Sequence, residues 1–370
     1  MRYIPLHKRF ALLDWSLIGN VLLLSSIGIL VLYSAAEGDF FIWSSKQLFR
    51  FCLGFAVMLM IALVPWNIWR SLSYSTYVIS LLLLVYVDLF GHIGMGAQRW
   101  INLYIIQLQP SEIVKITIVL ALARYYSSVH FKTNNLASHS FALIAFVVVP
   151  VILVLRQPDL GTAMILLMVG ASLVFLAGLH WGYYLFGGMS VAALAPFLWT
   201  QLHDYQKKRI LTFLNPEQDP LGSGYHIIQS KIAIGSAGAW GKGFMKGSQN
   251  KLDFLPEKQT DFIFTTFTEE FGFIGALLLI AAYLFLFYAC YRIALRFSQH
   301  FPRFMVTGLT TTFFLYFFIN IGMVIGVMPV VGVPLPLMTY GGTATLTMMM
   351  SIGLILSADL SNRLKRSTLT

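Results

Sequence analysis

The sequence predicts an all-α polytopic membrane protein of about ten transmembrane helices with one long extracytoplasmic loop at about 200–261. Two observations carry that class. Of 370 residues, 58% are hydrophobic and only 11% charged, for a mean hydropathy of +0.75. Several apolar runs are also long enough, at ~1.5 Å per residue, to cross a hydrocarbon core of roughly 30 Å. They lack the alternation of lipid-facing barrel strands, and open sheet edges cannot sit in lipid. A formal net charge of +10 would suggest nucleic acid in a soluble chain. Here topology and anionic headgroups explain the Lys and Arg of the short loops, so no nucleic-acid partner is expected. Cys52 and Cys290 both fall inside apolar segments, which argues against a disulfide.

Residues 1–370 read as one integral membrane domain. The basic start MRYIPLHKRF precedes the apolar run Trp15–Tyr33, too long a core for a cleaved signal followed by so many further spans, so it is read as a retained first helix. Helices are expected at about 15–35, 47–64, 73–90, 111–126, 140–155, 160–177, 182–199, 262–290, 304–325 and 338–357. An even count puts both termini on one side. With the termini cytoplasmic, the short inside segments carry Arg2, Lys8, Arg9, Arg70, Arg124, Lys132, Arg292, Arg296, Arg303, Arg363, Lys365 and Arg366. The opposite short loops carry only Lys46, Arg50, Arg99 and Arg156, which supports that orientation in an inner or plasma membrane.

The outside segments collect the polar residues that topology does not explain. GAQRW and QPSEIVK bring Arg99, Gln109, Ser111, Glu112 and Lys115 to the membrane surface. Ser111 is a plausible N-cap. Glu112 reads either as a first-turn acid with Lys115 as its i+3 partner, or with Lys115 as a polar wall facing a cavity. In RQPDLGT, Asp159 can cap the next helix while Arg156 pairs with Asp159 and braces the loop. The 200–261 loop opens with a cationic stretch holding Tyr205, Gln206 and Arg209. A short helix is expected around 225–236, followed by bends at Gly238, Gly241, Gly243 and Gly247; the segment reads as amphipathic or re-entrant. Backbone amides flanked by Lys242 and Lys246 would suit a lipid-linked pyrophosphate. Pro329, Pro334 and Pro336 break the chain at membrane depth, where irregular backbone must be buried or line a cavity. Gly341-Gly342 would then allow close approach.

Asp261 stands where the chain re-enters the membrane. It is either a helix cap held as the anion or a general base in a partly desolvated site, and the residues alone leave both open. No HExxH or CxxC metal signature occurs.

LPEKQTDFIFTTFTEEFGFIG, with GAQRW, QPSEIVK, QPDLGT, DPLGSGYHIIQSKIAIGS, GKG and MPVVGVPLPLMTYGG, resembles the SEDS family of shape, elongation, division and sporulation proteins, in particular its RodA-like elongation branch. The motifs spread from about Gly96 to Gly342. The resemblance implies peptidoglycan glycosyltransfer: lipid II is polymerised into β-1,4 glycan at the outer face of the cytoplasmic membrane. It implies Asp261 as the essential acid, Glu112 and Lys115 as the QPSE-x-x-K acid and base, and Tyr205, Gln206 and Arg209 as matching loop residues. Lys258-Gln259 departs from the family, many members of which have a basic residue followed by His. A class B penicillin-binding transpeptidase and other membrane proteins of the elongation complex are the implied partners. A divalent cation, Mg or Mn, would find oxygen ligands in Asp261, Glu112 and pyrophosphate. A lipid-precursor transporter or a scaffold for the transpeptidase are the rival classes.

Overall fold

Asp14 shows how the sequence begins its first crossing. Its carboxylate accepts from the Leu17 N–H at 3.3 Å, satisfying one of the orphan amides at a helix start. Behind it runs α2 (Trp15–Ala35), preceded by a short α1 (Leu6–Ala11). The computed structural model describes residues 5–367 except 95–96, 103–106, 129–135, 203, 220–221, 253 and 255–256.

After α2 the chain passes back and forth through α3 (Ser44–Leu63), α4 (Trp66–Phe90), α5 (Pro110–Ser128), α6 (Leu136–Leu143), α7 (Val149–Arg156), α8 (Leu160–Leu176) and α9 (Trp181–Gln201). The long loop holds α10 (Asp204–Leu214), α11 (Ser223–Ser236) and α12 (Ser248–Lys251). The chain finishes with α13 (Ile263–Leu295), α14 (His300–Val324) and α15 (Gly342–Ser367). Helix stands at all ten expected segments, and among the described residues seven of these passes are long and apolar enough to cross a membrane. α8 is apolar but only 17 residues long, and α5 carries Glu112, Lys115 and Arg124.

Departures from expectation have local causes. The fifth pass is α6 and α7 joined by a π-helical turn, Ile144–Val148. Pro150 follows directly and lacks the N–H that an uninterrupted α register requires. Between α4 and α5 lies a small antiparallel sheet of β1 (His92–Gly94), β2 (Ala97–Asn102) and β3 (Gln107–Leu108), too short to show a strand period in sequence. Ser111 is not a cap: α5 already begins at Pro110, and the Ser111 hydroxyl is buried without a hydrogen-bond partner among the described residues.

α14 is central, packing on α5, α8, α13 and α15, while α3 lies along α15. The sheet, the long loop and the segment 325–341 gather at one end of the bundle, here the loop end; the start of α2 and the last turns of α15 lie together at the other. Segment 325–341 is irregular and is mostly buried over 331–339, so its backbone there must find partners inside the protein. Tyr283 Oη donates to the Pro336 carbonyl at 2.5 Å, Asn320 Nδ2 to Val333 O at 2.7 Å and Gln47 Nε2 to Thr339 O at 3.2 Å. The Leu335 N–H donates to Thr339 Oγ1 at 2.8 Å. The close approach is made by Gly28 of α2, where a Cβ would lie 2.6 Å from Met338 Cα. At Gly342 a Cβ would meet only the Arg50 side chain, at 3.6 Å, so the expected tight contact is not at the Gly pair.

A second break interrupts α13 at Gly272, whose φ is +70°. The backbone groups it frees are taken up by the Gly-rich turn after α11. Lys242 N–H donates to Glu269 O and Gly243 N–H to Glu270 O, both at 3.0 Å; Phe273 N–H returns to Gly238 O at 3.0 Å and Ile274 N–H to Ala239 O at 3.1 Å. A Cβ on Gly272 would fall 2.2 Å from Gly241 N, so the clasp needs glycine at that crossing.

Candidate active site

The turn before α13 is built from its own backbone. Thr260 N–H donates to Glu257 O at 3.1 Å and Phe262 N–H to the same carbonyl at 3.3 Å. Thr260 Oγ1 donates to Glu257 Oε2 at 2.7 Å. Two longer-range bonds fix the turn in the bundle: Tyr340 N–H donates to Gln259 O at 3.0 Å, and Asn320 Nδ2 donates to Asp261 O at 2.9 Å. None of these bonds involves the Asp261 carboxyl. The residue at the cap position of α13 is Phe262, which makes no side-chain cap. The helix-cap reading of Asp261 is therefore excluded.

The half-buried Asp261 carboxyl is pushed up to about 6, first by desolvation and then by the neighbouring Glu257 charge, while Arg209 of α10 pulls it down. Gly332, at φ +74°, faces it: a Cβ there would sit 3.5 Å from Asp261 Oδ2. Asp261, Glu257 and Arg209 thus come together at the loop end. Gln206, one turn before Arg209, is buried. Tyr205 lies on the same helix, but its side chain is outside the described residues.

Glu112 and Lys115 form a separate, sealed cluster. Their side chains are 7% and 3% exposed, with Nζ 2.5 Å from Glu112 Oε1, so they do not line an open wall. Tyr316 Oη donates to both Glu112 oxygens, at 3.1 and 3.2 Å, and Thr347 Oγ1 donates to Oε2 at 3.3 Å. Lys115 Nζ lies 4.5 Å from the centre of the Tyr316 ring, a cation–π contact. With both oxygens engaged, Glu112 does not fit the part of metal ligand. The cluster reaches Asp261 through α14: Tyr316 holds Glu112, and Asn320, one turn on, holds the Asp261 backbone.

Lys242 is also committed within the protein. Its Nζ lies 2.7 Å from Glu269 Oε1, and Ser248 Oγ and Gln249 N–H donate to the same oxygen at 3.1 Å. Lys246 is exposed and makes no ion pair among the described residues. The expected Arg156–Asp159 brace does not form. Arg156 approaches Asp88 at 4.0 Å, whereas Asp159 caps α8 through Thr162 N–H at 3.1 Å and accepts from Gln109 Nε2 at 3.3 Å. Arg99 does the bracing, donating to Gln157 O at 2.9 Å and to Pro158 O. Pro334 and Pro336 take the structural place expected of them, in the buried segment whose carbonyls Asn320 and Tyr283 hold.

Sequence reasoning missed Glu257, Tyr316, Asn320 and Thr347. The available signal was the i, i+4 spacing of Tyr316 and Asn320 on the otherwise apolar second half of α14. Among the described residues, no group of three or more His, Cys, Asp or Glu side chains is placed to hold a metal.

The chain matches the FtsW, RodA and SpoVE family, described as Cell cycle protein, over residues 8–364. It belongs to that family. It is 43% identical to the peptidoglycan glycosyltransferase MrdB of Escherichia coli strain K12 over 346 residues, covering 93% of each chain. It is 30% identical to the peptidoglycan glycosyltransferase RodA of Treponema pallidum, covering 94% of this chain and 97% of that one. In structure it is similar, at TM-score 0.82 and 31% identity, to a chain of a peptidoglycan synthase complex that coordinates polymerization and crosslinking, with 95% and 98% covered. The rod shape determining protein RodA of Thermus thermophilus matches at TM-score 0.70 and 27% identity, with 95% and 97% covered. The FtsW, RodA and SpoVE family fold is thus present along nearly the whole chain, including the loop end where Asp261 lies.

Proposed function

We infer that the chain is a peptidoglycan glycosyltransferase of the elongation type, polymerising lipid II into β-1,4-linked glycan. The observation that carries the catalytic assignment is Asp261: a half-buried carboxyl, spared from capping α13, raised to about 6 and faced by the Arg209 charge. A carboxylate of that basicity is largely ionised at neutral pH yet accepts a proton more readily than an ordinary one.

The donor sugar is α-linked to undecaprenyl pyrophosphate and the product linkage is β, which fits a single inverting displacement. The acceptor 4-hydroxyl oxygen attacks the anomeric carbon as Asp261 takes its proton. The bond to pyrophosphate breaks, and the leaving group departs with the electron pair. So good a leaving group requires positive charge rather than an acid catalyst, and Arg209 is the cation set beside Asp261. Should a Mg or Mn ion take part, Asp261 and Glu257 would be the carboxylates to hold it, and the ion would offset charge on the departing pyrophosphate. The same reading puts the loop end at the outer face, both termini in the cytoplasm, and a class B penicillin-binding transpeptidase beside the chain, with other elongation-complex membrane proteins around them.

Purified protein given purified lipid II, alone and with its transpeptidase, is compared with Asp261→Asn of equal folded yield. Glycan strands from the parent and none from the variant support the base. Equal polymer from both removes Asp261 from that role. Lipid II crossing the membrane without polymer under any condition would favour a transporter.

A further inference from the structure

The end of the bundle remote from Asp261 carries a cleft of about 520 Å³ among the start of α2 and the ends of α13 and α15. Its charge is unbalanced. Arg363 bridges the two acids, 2.6 Å from Asp14 and 2.6 Å from Asp359, and Arg296 holds Asp359 at 2.8 Å. These three contacts account for both carboxylates. Arg292 stands off at 3.9 Å from Asp14, and Arg366, which also lines the cleft, is exposed and makes no ion pair among the described residues.

Complementing the helix C-terminal dipoles and fixing the helix ends would explain Arg296 and Arg363. It leaves two guanidinium groups over. Burial alone would raise Asp14, but its hydrogen bonds from Ser16 and Leu17 and the Arg363 and Arg292 charges hold it below the usual carboxylate range. Counted as formal charges, the four arginines and two aspartates that line the cleft leave a net charge of +2.

Depth and surroundings narrow the ligand. Trp15, Tyr288 and Leu295 are 56%, 59% and 55% exposed; Trp15 and Leu295 adjoin Asp14 and Arg296 along the chain, and Tyr288 lies one turn before Arg292, whose guanidinium is 6.0 Å from its ring centre. Exposed aromatic residues at helix ends mark the membrane–water boundary. A basic cleft at that level, rimmed by apolar side chains, matches a molecule with a phosphate head and acyl tails.

We propose that this cleft is a binding site for the headgroup of an anionic phospholipid, held by Arg292 and Arg366 while Arg296 and Arg363 stay paired to the acids. The site is independent of the glycosyltransfer reading.

The test is native mass spectrometry of the full chain in detergent, titrated with phosphatidylglycerol or with phosphatidylethanolamine. Phosphatidylglycerol should be retained in preference. Arg292→Gln with Arg366→Gln, which leaves the Asp14–Arg363–Asp359–Arg296 network intact, should weaken it on the order of 30-fold for two charges lost. Arg292→Lys with Arg366→Lys should bind nearly as the parent does, and so should Arg70→Gln with Arg303→Gln, which removes two exposed charges outside the cleft. Undiminished retention by the first pair, or an equal loss from the Arg70 and Arg303 pair, would overturn the site. Displacement of the lipid by inorganic phosphate would reassign the cleft to free phosphate and overturn the lipid.

Discussion

Separating Glu112 from Lys115 tests whether the buried cluster is one electrostatic unit. Glu112→Gln would leave an ammonium that is 3% exposed with no anion beside it and only the Tyr316 ring face, 4.5 Å away, to offset its charge. Breaking one partner of a buried pair costs roughly 3–5 kcal/mol. Lys115→Met should sit at the lower end of that range, because the stranded Glu112 keeps two hydroxyl donors, Tyr316 at 3.1 Å and Thr347 at 3.3 Å.

The double variant removes both charges and restores a neutral, similarly filled site. Its loss should be about 2–3 kcal/mol, far below the sum of the singles, giving a coupling energy of several kcal/mol. Chemical unfolding of all four proteins in the same detergent, followed by far-UV circular dichroism, supplies the cycle. Additive single losses, with the double variant the least stable of the four, would refute the pair and return Lys115 to a role toward substrate.

Other expectations follow from the same geometry. Polymerisation should rise with pH on its acid limb with a midpoint near 6 as Asp261 loses its proton; Arg209→Gln should move that midpoint up and Glu257→Gln should move it down, read from pH–rate profiles. Because the folded-state value lies above the ordinary 3.8, folding binds a proton across that window, so stability should fall as pH rises from about 4 to about 6. Asp261→Asn should abolish that fall, and unfolding at several pH values checks it. Asn320→Ala strips the side-chain donor from the carbonyls of Asp261 and Val333, costing about 1–3 kcal/mol for each group left unsatisfied and lowering turnover more than substrate affinity. Gly272→Ala would drive a Cβ to 2.2 Å from Gly241 N at positive φ, a loss above ~2 kcal/mol measurable as a lowered melting temperature.

The passes were legible because a membrane crossing depends on a long apolar run, and runs are local. Contacts across the fold are not. Arg156 and Asp159 are neighbours in sequence, yet the loop is braced by Arg99 from the other side of α5. Lys242 looked free for phosphate because its partner, Glu269, lies far along the chain; an acid that is 0% exposed requires a cation, so Glu269 itself was the clue. Tyr316 and Thr347 were passed over because hydroxyl side chains are common in membrane helices and nothing in their own neighbourhood marks them as ligands of Glu112.

The two backbone breaks explain why Asp261 can remain uncapped and still be well placed. At membrane depth irregular backbone is tolerated only where each freed group finds a partner, and here those partners also hold the turn that carries Asp261. Asn320 serves Val333 in the proline-rich segment and Asp261 with the same amide nitrogen, at 2.7 and 2.9 Å. Tyr340, at the end of that segment, supplies the amide that fixes Gln259. The clasp at Gly272 fixes the first turns of α13 to the Gly-rich turn of the loop. Asp261 is therefore positioned through its backbone from both sides, and its carboxyl is left to the desolvation and local charges that raise it. A base that relied on side-chain hydrogen bonds for its position would have its basicity lowered by those same bonds.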